Sequence, residues 1–377
     1  MLLCIAPTGY AGSATARRPK VLVIVYDAGE TLGLLPIAPI LEREKIDLRW
    51  APLTPWSLRI VEEKRQVYVR PPDGLETMPH VKDRQGEGST DFWLAAIAEE
   101  KPDLVILGLV SRAQEQLAHE LKARSIRTVG FYDAFDPTTP DTIVARVARQ
   151  VDTVWVPTAT IERNLRELGV KDVKVLGQPS VETWYRSAAT VDAADLYHRL
   201  QIPRGKKIVL FAGQYGEGYP EILEAFLSVA IVELERRDDL YLVLSYHPKT
   251  NGELEREALK KHPHPRVILM PPGINTAELA TVSSAVITWR STVGIQAAFL
   301  GKPILYFNFN PRDYTNELIE RDLAAASTPA TFGPDLKQAL TQQTSARANR
   351  RRLAKLGYVL DADRNIAAEI GRLVRAR

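Results

Sequence analysis

KVLVIVYDAG at Lys20–Gly29 and KPDLVILGL at Lys101–Leu109 are runs of Val, Ile and Leu of strand length with no apolar/polar alternation. A strand with one wet face alternates, so unbroken runs need cover on both faces, as in a parallel sheet between helical layers. The intervening chain supplies that cover. Leu34, Ile37, Ala38 and Leu41 recur at helical spacing after the first run, and SRAQEQLAHELKAR follows the second. RTVGFYD and TVWVP continue as strands, with DTIVARVARQV and TATIERNLRELGV as helices, the latter opening on hydroxyls suited to an N-cap. DLRWAPL and RQVYVRP read as further strands and Ser89–Glu100 as a helix. Alternating strand and helix predicts a doubly wound α/β domain.

The pattern lapses over the polar stretch Arg186–Arg204 and restarts at KKIVLFAGQYGEG. A helix over about Pro220–Arg236, the strand LYLVLSYHP, the helix ELEREALKK, the strand RVILMPP and a short helix near TAELATVS follow. ITWRSTVGIQAAFLGKP is then a strand feeding a helix, and PILYFNF is another strand. A chain of 377 residues exceeds what one core usually supports, so two domains of similar wiring are expected. Their boundaries are a leader over 1–19, a first domain over 20–185 and a second over 186–377, whose last helix is a candidate to pack back on the first.

Composition narrows the function classes. With 45% apolar residues and polar breaks in every apolar run, the chain has a core to bury and no membrane span of about 20 residues. A net charge of +3 gives no case for nucleic acid from overall balance. One cysteine, Cys4, excludes an internal disulfide framework, and six histidines without paired ligand spacing give no metal site. A cytoplasmic compartment is the simplest reading. The opening MLLCIAPTGYAGSATARRPK ends in an A-x-A-like pattern but lacks a basic start and a full apolar run, so it reads as a flexible leader. SARANRRRLAKLG carries five cations and no acid between Arg347 and Lys355. It is either a solvated helix face or a peripheral contact with anionic lipid at the inner membrane face. Oligomeric state is open.

Ligands of open parallel sheets bind beyond the carboxyl ends of the strands. Three such ends in the second half are candidates. In FAGQYGEG, Gly213, Gln214 and Gly216 would let backbone N–H groups approach a diphosphate, although glycines there also serve as turn residues. His247 and Lys249 share a loop after a strand. Arg290, Ser291 and Thr292 stand at a helix mouth, where they would seat a phosphate or simply cap the helix.

The chain after the leader resembles the GT-B glycosyltransferase superfamily, and its layout is similar to the non-hydrolysing UDP-N-acetylglucosamine 2-epimerases. RVARQVDTVWVPTATIERNLRELGVKDVKVLGQPSVETW and SSAVITWRSTVGIQAAFLGKP carry most of that resemblance. It implies two Rossmann-like domains facing a cleft, with the nucleotide on the second. Ser291 and Thr292 fall where the family binds phosphate, and Gln296 falls close to where a glutamate commonly meets the ribose. The epimerase loops match poorly, since LGLVSR and GQYGEG stand where that family has its aspartate and its arginine and histidine. His247-Pro248 with Ser291-Thr292 is instead similar to inverting sialyl- and Kdo-transferases, which use CMP-linked sugars, and DAGETLG resembles the first loop of Kdo transferase and lipid-A-disaccharide synthase, where GE begins the acceptor site.

The expectation is a metal-independent glycosyltransferase of polysaccharide biosynthesis moving a sugar from a UDP- or CMP-linked donor to a glycan or lipid-linked acceptor, with no other cofactor. Glu30, at the end of the first strand, is the first candidate for the base, and Asp133 and Asp136 are the second. His247, Lys249, Arg290 and the helix dipole would meet the leaving phosphate. An epimerase-like sugar-nucleotide enzyme and a non-catalytic nucleotide-sugar-fold scaffold are the alternatives.

Overall fold

A computed structural model describes residues 17–71, 87–342 and 345–376. The expected leader lies outside the described residues up to position 16. Six parallel strands form the first sheet: β1 (Lys20–Val25), β2 (Asp47–Pro52), β3 (Leu104–Gly108), β4 (Thr128–Phe131), β5 (Thr153–Val156) and β6 (Val173–Val175). Their order is β2-β1-β3-β4-β5-β6. The second sheet holds β7 (Lys207–Ala212), β8 (Leu240–Ser245), β9 (Val267–Leu269), β10 (Ala285–Thr288), β11 (Ile304–Phe307) and β12 (Ala325–Ser327), all parallel, in the order β12-β11-β10-β7-β8-β9.

Both faces of each sheet are covered, which is why the central strands could dispense with alternation. Val21 to Val25 have no exposed surface: Leu22 and Ile24 pack into one core and Val21, Val23 and Val25 into the core on the opposite face. Each sheet has a point where strand order reverses, between β1 and β3 in the first and between β7 and β10 in the second. At such a point the connections diverge to opposite faces and leave a crevice beyond the strand ends.

RQVYVRP, expected as a strand, makes only an isolated bridge from Tyr68 to Trp50. Beside edge strand β2 the Trp50 N–H donates to the Val67 carbonyl at 3.0 Å and the Val69 N–H to the Trp50 carbonyl at 2.8 Å, and Pro52 and Pro71 lack the N–H groups that would extend the ladder. The polar stretch after Arg186 holds a helix, Ala193–Arg199, which Asp192 caps by accepting from the Ala194 and Asp195 N–H groups. The chain also forms a helix over Pro55–Glu63, opened by a Thr54 capping box and a proline in its first turn.

Two helices join the sheets. Pro179–Ser187 follows β6, and Ala362–Arg375 places Ile366, Ala367, Ile370 and Val374 in the core of the first sheet. Buried Glu182 on the former meets Arg350 at 3.2 Å, and Arg186 of the same helix pairs with buried Asp363 of the latter. Charges this well buried are tolerated only when paired.

Candidate active site

In the first domain, β1 runs out through Tyr26 to Asp27, which caps the helix Ala28–Leu34 by accepting from the Glu30 N–H at 3.1 Å. Glu30 therefore sits in the first helical turn and points back under the strand ends. It has no exposed surface. Its carboxylate accepts from the Tyr26 N–H at 2.7 Å, the Leu109 N–H at 3.0 Å and Gln114 Nε2 at 2.8 Å. Tyr26 and Leu109 follow β1 and β3 and Gln114 lies in the first turn of the helix Arg112–Ala123, so Glu30 fills the crevice at the first reversal point. Gly108 has no side chain because Glu30 occupies that space. Burial first, then the charges of Asp27 and Asp133, push its pKa well up. Glu30, expected to face the cleft, is buried instead, with its carboxyl taken up by protein donors.

The open acids are its neighbours. Asp133 follows β4 and packs over Gly29, where a side chain would collide with its carboxylate. Burial, then the nearby Asp27 charge, raises its pKa to about 7, against the lowering influence of its own backbone N–H and of Lys249. A carboxyl poised there can take a proton at neutral pH.

In the second domain the chain after β7 turns through Gly216 (φ +104°) and Gly218 (φ +81°), left-handed conformations that suit glycine, into the helix Tyr219–Glu235. Gly213 is tight for a different reason: a Cβ would meet the Ser245 carbonyl and the Glu255 carboxylate. The Tyr219 hydroxyl donates to Glu255 at 2.6 Å, tying the start of this helix to the helix Glu253–Lys261 that follows β8. Beside Gln214, the Tyr215 ring lies 4.3 Å from the His247 ring. Lys249 Nζ donates to the Tyr215 hydroxyl at 2.8 Å, and the Lys249 N–H donates to His247 Nδ1 at 3.1 Å. Lys249 then reaches across the cleft to within 3.9 Å of Asp27.

After β10, the Arg290 guanidinium lies 4.7 Å over Trp289 and 5.8 Å from the Tyr314 ring. The Tyr314 hydroxyl donates to Asp136 of the first domain at 3.4 Å, a second bridge across the cleft. Asp136 has its pKa raised, by burial, with the Tyr314 bond and the Arg290 charge opposing. Ser291 accepts from the Val293 N–H at 3.2 Å, so the capping reading holds for it, while Thr292 is exposed and caps nothing with its side chain. The helix they open, Val293–Phe299, has seven residues. Gln296 is buried and donates to Ser180 Oγ at 3.2 Å, so its amide N–H is engaged by protein rather than offered to a ribose.

The fold thus gathers Asp133, Asp136, His247, Lys249 and Arg290 along one cleft and withdraws Glu30 and Gln296. Sequence reasoning missed Asp27, Tyr215 and Tyr314. Asp27 carried a signal, as the last residue of an apolar run. The two tyrosines carried none, because their roles depend on which loops meet. Among the described residues there is no cluster of three or more His, Cys, Asp or Glu able to hold a metal, and no helix long and apolar enough to cross a membrane.

Two Rossmann-like parallel sheets, with acids of one facing cations of the other, make a GT-B-like fold. Residues 110–338, more than half of the chain, match CDP-Glycerol:Poly(glycerophosphate) glycerophosphotransferase, and the chain belongs to that family. No curated protein sequence matches it. Among solved structures it is similar to S. aureus MnaA with UDP, at 16% identity and a TM-score of 0.71 over 95% of this chain and 98% of that one. The UDP-GlcNAc 2-epimerase of Neisseria meningitidis with UDP-GlcNAc gives 14%, 0.71, 94% and 100%. A glycosyltransferase from Rickettsia africae gives 12%, 0.61, 96% and 99%. Identities this low show the fold alone.

Proposed function

We propose that the cleft transfers glycerophosphate from CDP-glycerol to the terminal hydroxyl of a poly(glycerophosphate) chain, releasing CMP. The family supports the donor. The observation that carries the chemistry is the cross-cleft pairing: Asp133, poised at about 7, and Asp27 on one wall, Lys249 3.9 Å from Asp27 on the other. The acceptor oxygen attacks the phosphorus bearing glycerol, Asp133 takes its proton, and the pyrophosphate P–O bond breaks with its electron pair going to CMP. Lys249, His247 and Arg290 supply positive charge and donors for the leaving phosphate. CMP is also the leaving group of CMP-sugar transferases, which accounts for the His247-Pro248 and Ser291-Thr292 likeness without requiring a sugar.

A sugar-linked donor is the second reading, favoured by the fold likeness to UDP-GlcNAc 2-epimerases. Thermal-shift titration with CDP-glycerol, CMP, CMP-sugars, UDP and UDP-GlcNAc separates the two, because a ligand stabilises the native state in proportion to its differential binding. Selective stabilisation by CDP-glycerol and CMP, with acceptor-dependent CMP release, is expected. Stabilisation by UDP-GlcNAc alone, or release of its free 2-epimer, overturns the proposal.

A further inference from the structure

The segment SARANRRRLAKLG forms a helix, Ala346–Lys355, capped by Ser345. Its inner face is anchored: Leu353 and Asn349 are buried, Asn349 Nδ2 donates to the Ala298 carbonyl, and Arg350 turns inward to Glu182. Its outer face is exposed and carries Arg347, Arg351, Arg352 and Lys355, none with an acidic partner among the described residues. Fixing the helix by its other side holds these cations in place, unlike a flexible basic tail.

Spacing discriminates among polyanions. Arg347, Arg351 and Lys355 follow one another at four-residue intervals, so their Cα atoms advance by about 6 Å each along the axis. A glycerophosphate repeat has five or six backbone bonds, twice the number in an amino-acid residue, and extends to about 7 Å per charge. The two ladders match over two repeats. The helix exposes no large apolar side chain, which leaves nothing to insert below a headgroup layer.

Placement also fits. The helix leads through Gly357 to Tyr358, which bridges to Thr158 beyond the carboxyl end of β5, at the seam between the domains. There Arg163 and Arg321, one from each domain, both act on Glu317, which Thr160 bonds at 3.4 Å.

We infer that the outer face of Ala346–Lys355 is a docking track for a linear polyphosphodiester, holding the grown part of the acceptor chain while its end lies in the cleft. This rests on the proposed function only in naming glycerophosphate as the repeat. The track would make the enzyme favour long acceptors over short ones.

The test uses the full chain and the variant R347Q/R351Q/R352Q/K355Q, with unchanged melting temperature as the folding control. Fluorescence anisotropy follows labelled poly(glycerophosphate) of two, six and twelve repeats with no donor present. Affinity is expected to rise with length in the native protein, and the variant to bind the twelve-repeat chain at least about fivefold more weakly, as four exposed ion pairs would give. In turnover, KM for twelve repeats should rise at least about fivefold more than KM for two. Equal binding of long chains by both proteins overturns the track. So does loss of binding to vesicles of phosphatidylglycerol and phosphatidylcholine with polymer binding intact, which would make the face a lipid contact. Length-dependent, variant-sensitive polymer binding without CDP-glycerol turnover supports the track and sinks the proposed reaction instead.

Discussion

Asp133→Asn is expected to make the protein more stable and nearly inactive. In the folded protein Asp133 titrates at about 7 instead of its ordinary 3.8. Between those values the native state holds a proton that the unfolded chain has released, so stability falls as pH rises through this window. A shift of about three units corresponds to ~4 kcal/mol. Asp133 keeps a partly exposed edge, so solvent screening reduces this to about 2 kcal/mol. Asparagine carries no charge to bury or to repel Asp27 and recovers that amount above pH 8, while below pH 4 it recovers almost nothing. Urea unfolding of both proteins at pH 4 and pH 8 reads the difference directly from the midpoints at equal m-value. The same carboxylate should give transfer an acidic limb with an apparent pKa near 7, flattened in the variant's residual activity. A gain in stability equal at both pH values, or a net loss at pH 8, would refute the electrostatic account of this site.

Glu30→Ala strands the Tyr26 and Leu109 N–H groups and Gln114 Nε2, each a buried donor worth about 1–3 kcal/mol when unpaired, so a net loss of roughly 3 kcal/mol is expected in urea. An unfolding midpoint unchanged from the native protein would refute this structural role. Lys249→Met removes the cation that lowers Asp133 and meets Asp27. It should raise the donor KM at least tenfold and move the acidic limb of the pH profile upward, and an unmoved limb would count against the cross-cleft pairing.

Much of the fold was legible because burial on two faces leaves a local trace. The Val/Ile/Leu runs at Lys20–Val25, Leu104–Gly108 and Lys207–Ala212 are strands, and WRST does stand where β10 meets a helix. Elements that depend on a distant neighbour were harder. RQVYVRP has strand-like residues, but Pro71 and the facing Pro52 cannot donate to a longer ladder, and the helix Ala193–Arg199 hides in a polar stretch because only one side of it, around Leu196, is buried.

The site divides along the same line. Sequence alone placed His247, Lys249 and Arg290 on segments that follow apolar strand runs, because such runs are legible locally. It could not determine which acid of DAGE faces the other domain. Asp27 and Glu30 are three residues apart, and a single helical turn sends one toward Lys249 and the other beneath β1 and β3 to the Leu109 N–H, 79 positions away. Only the tertiary structure decided that, because burial, pairing and the resulting proton affinity of a carboxyl are set by groups that the chain brings together from both domains.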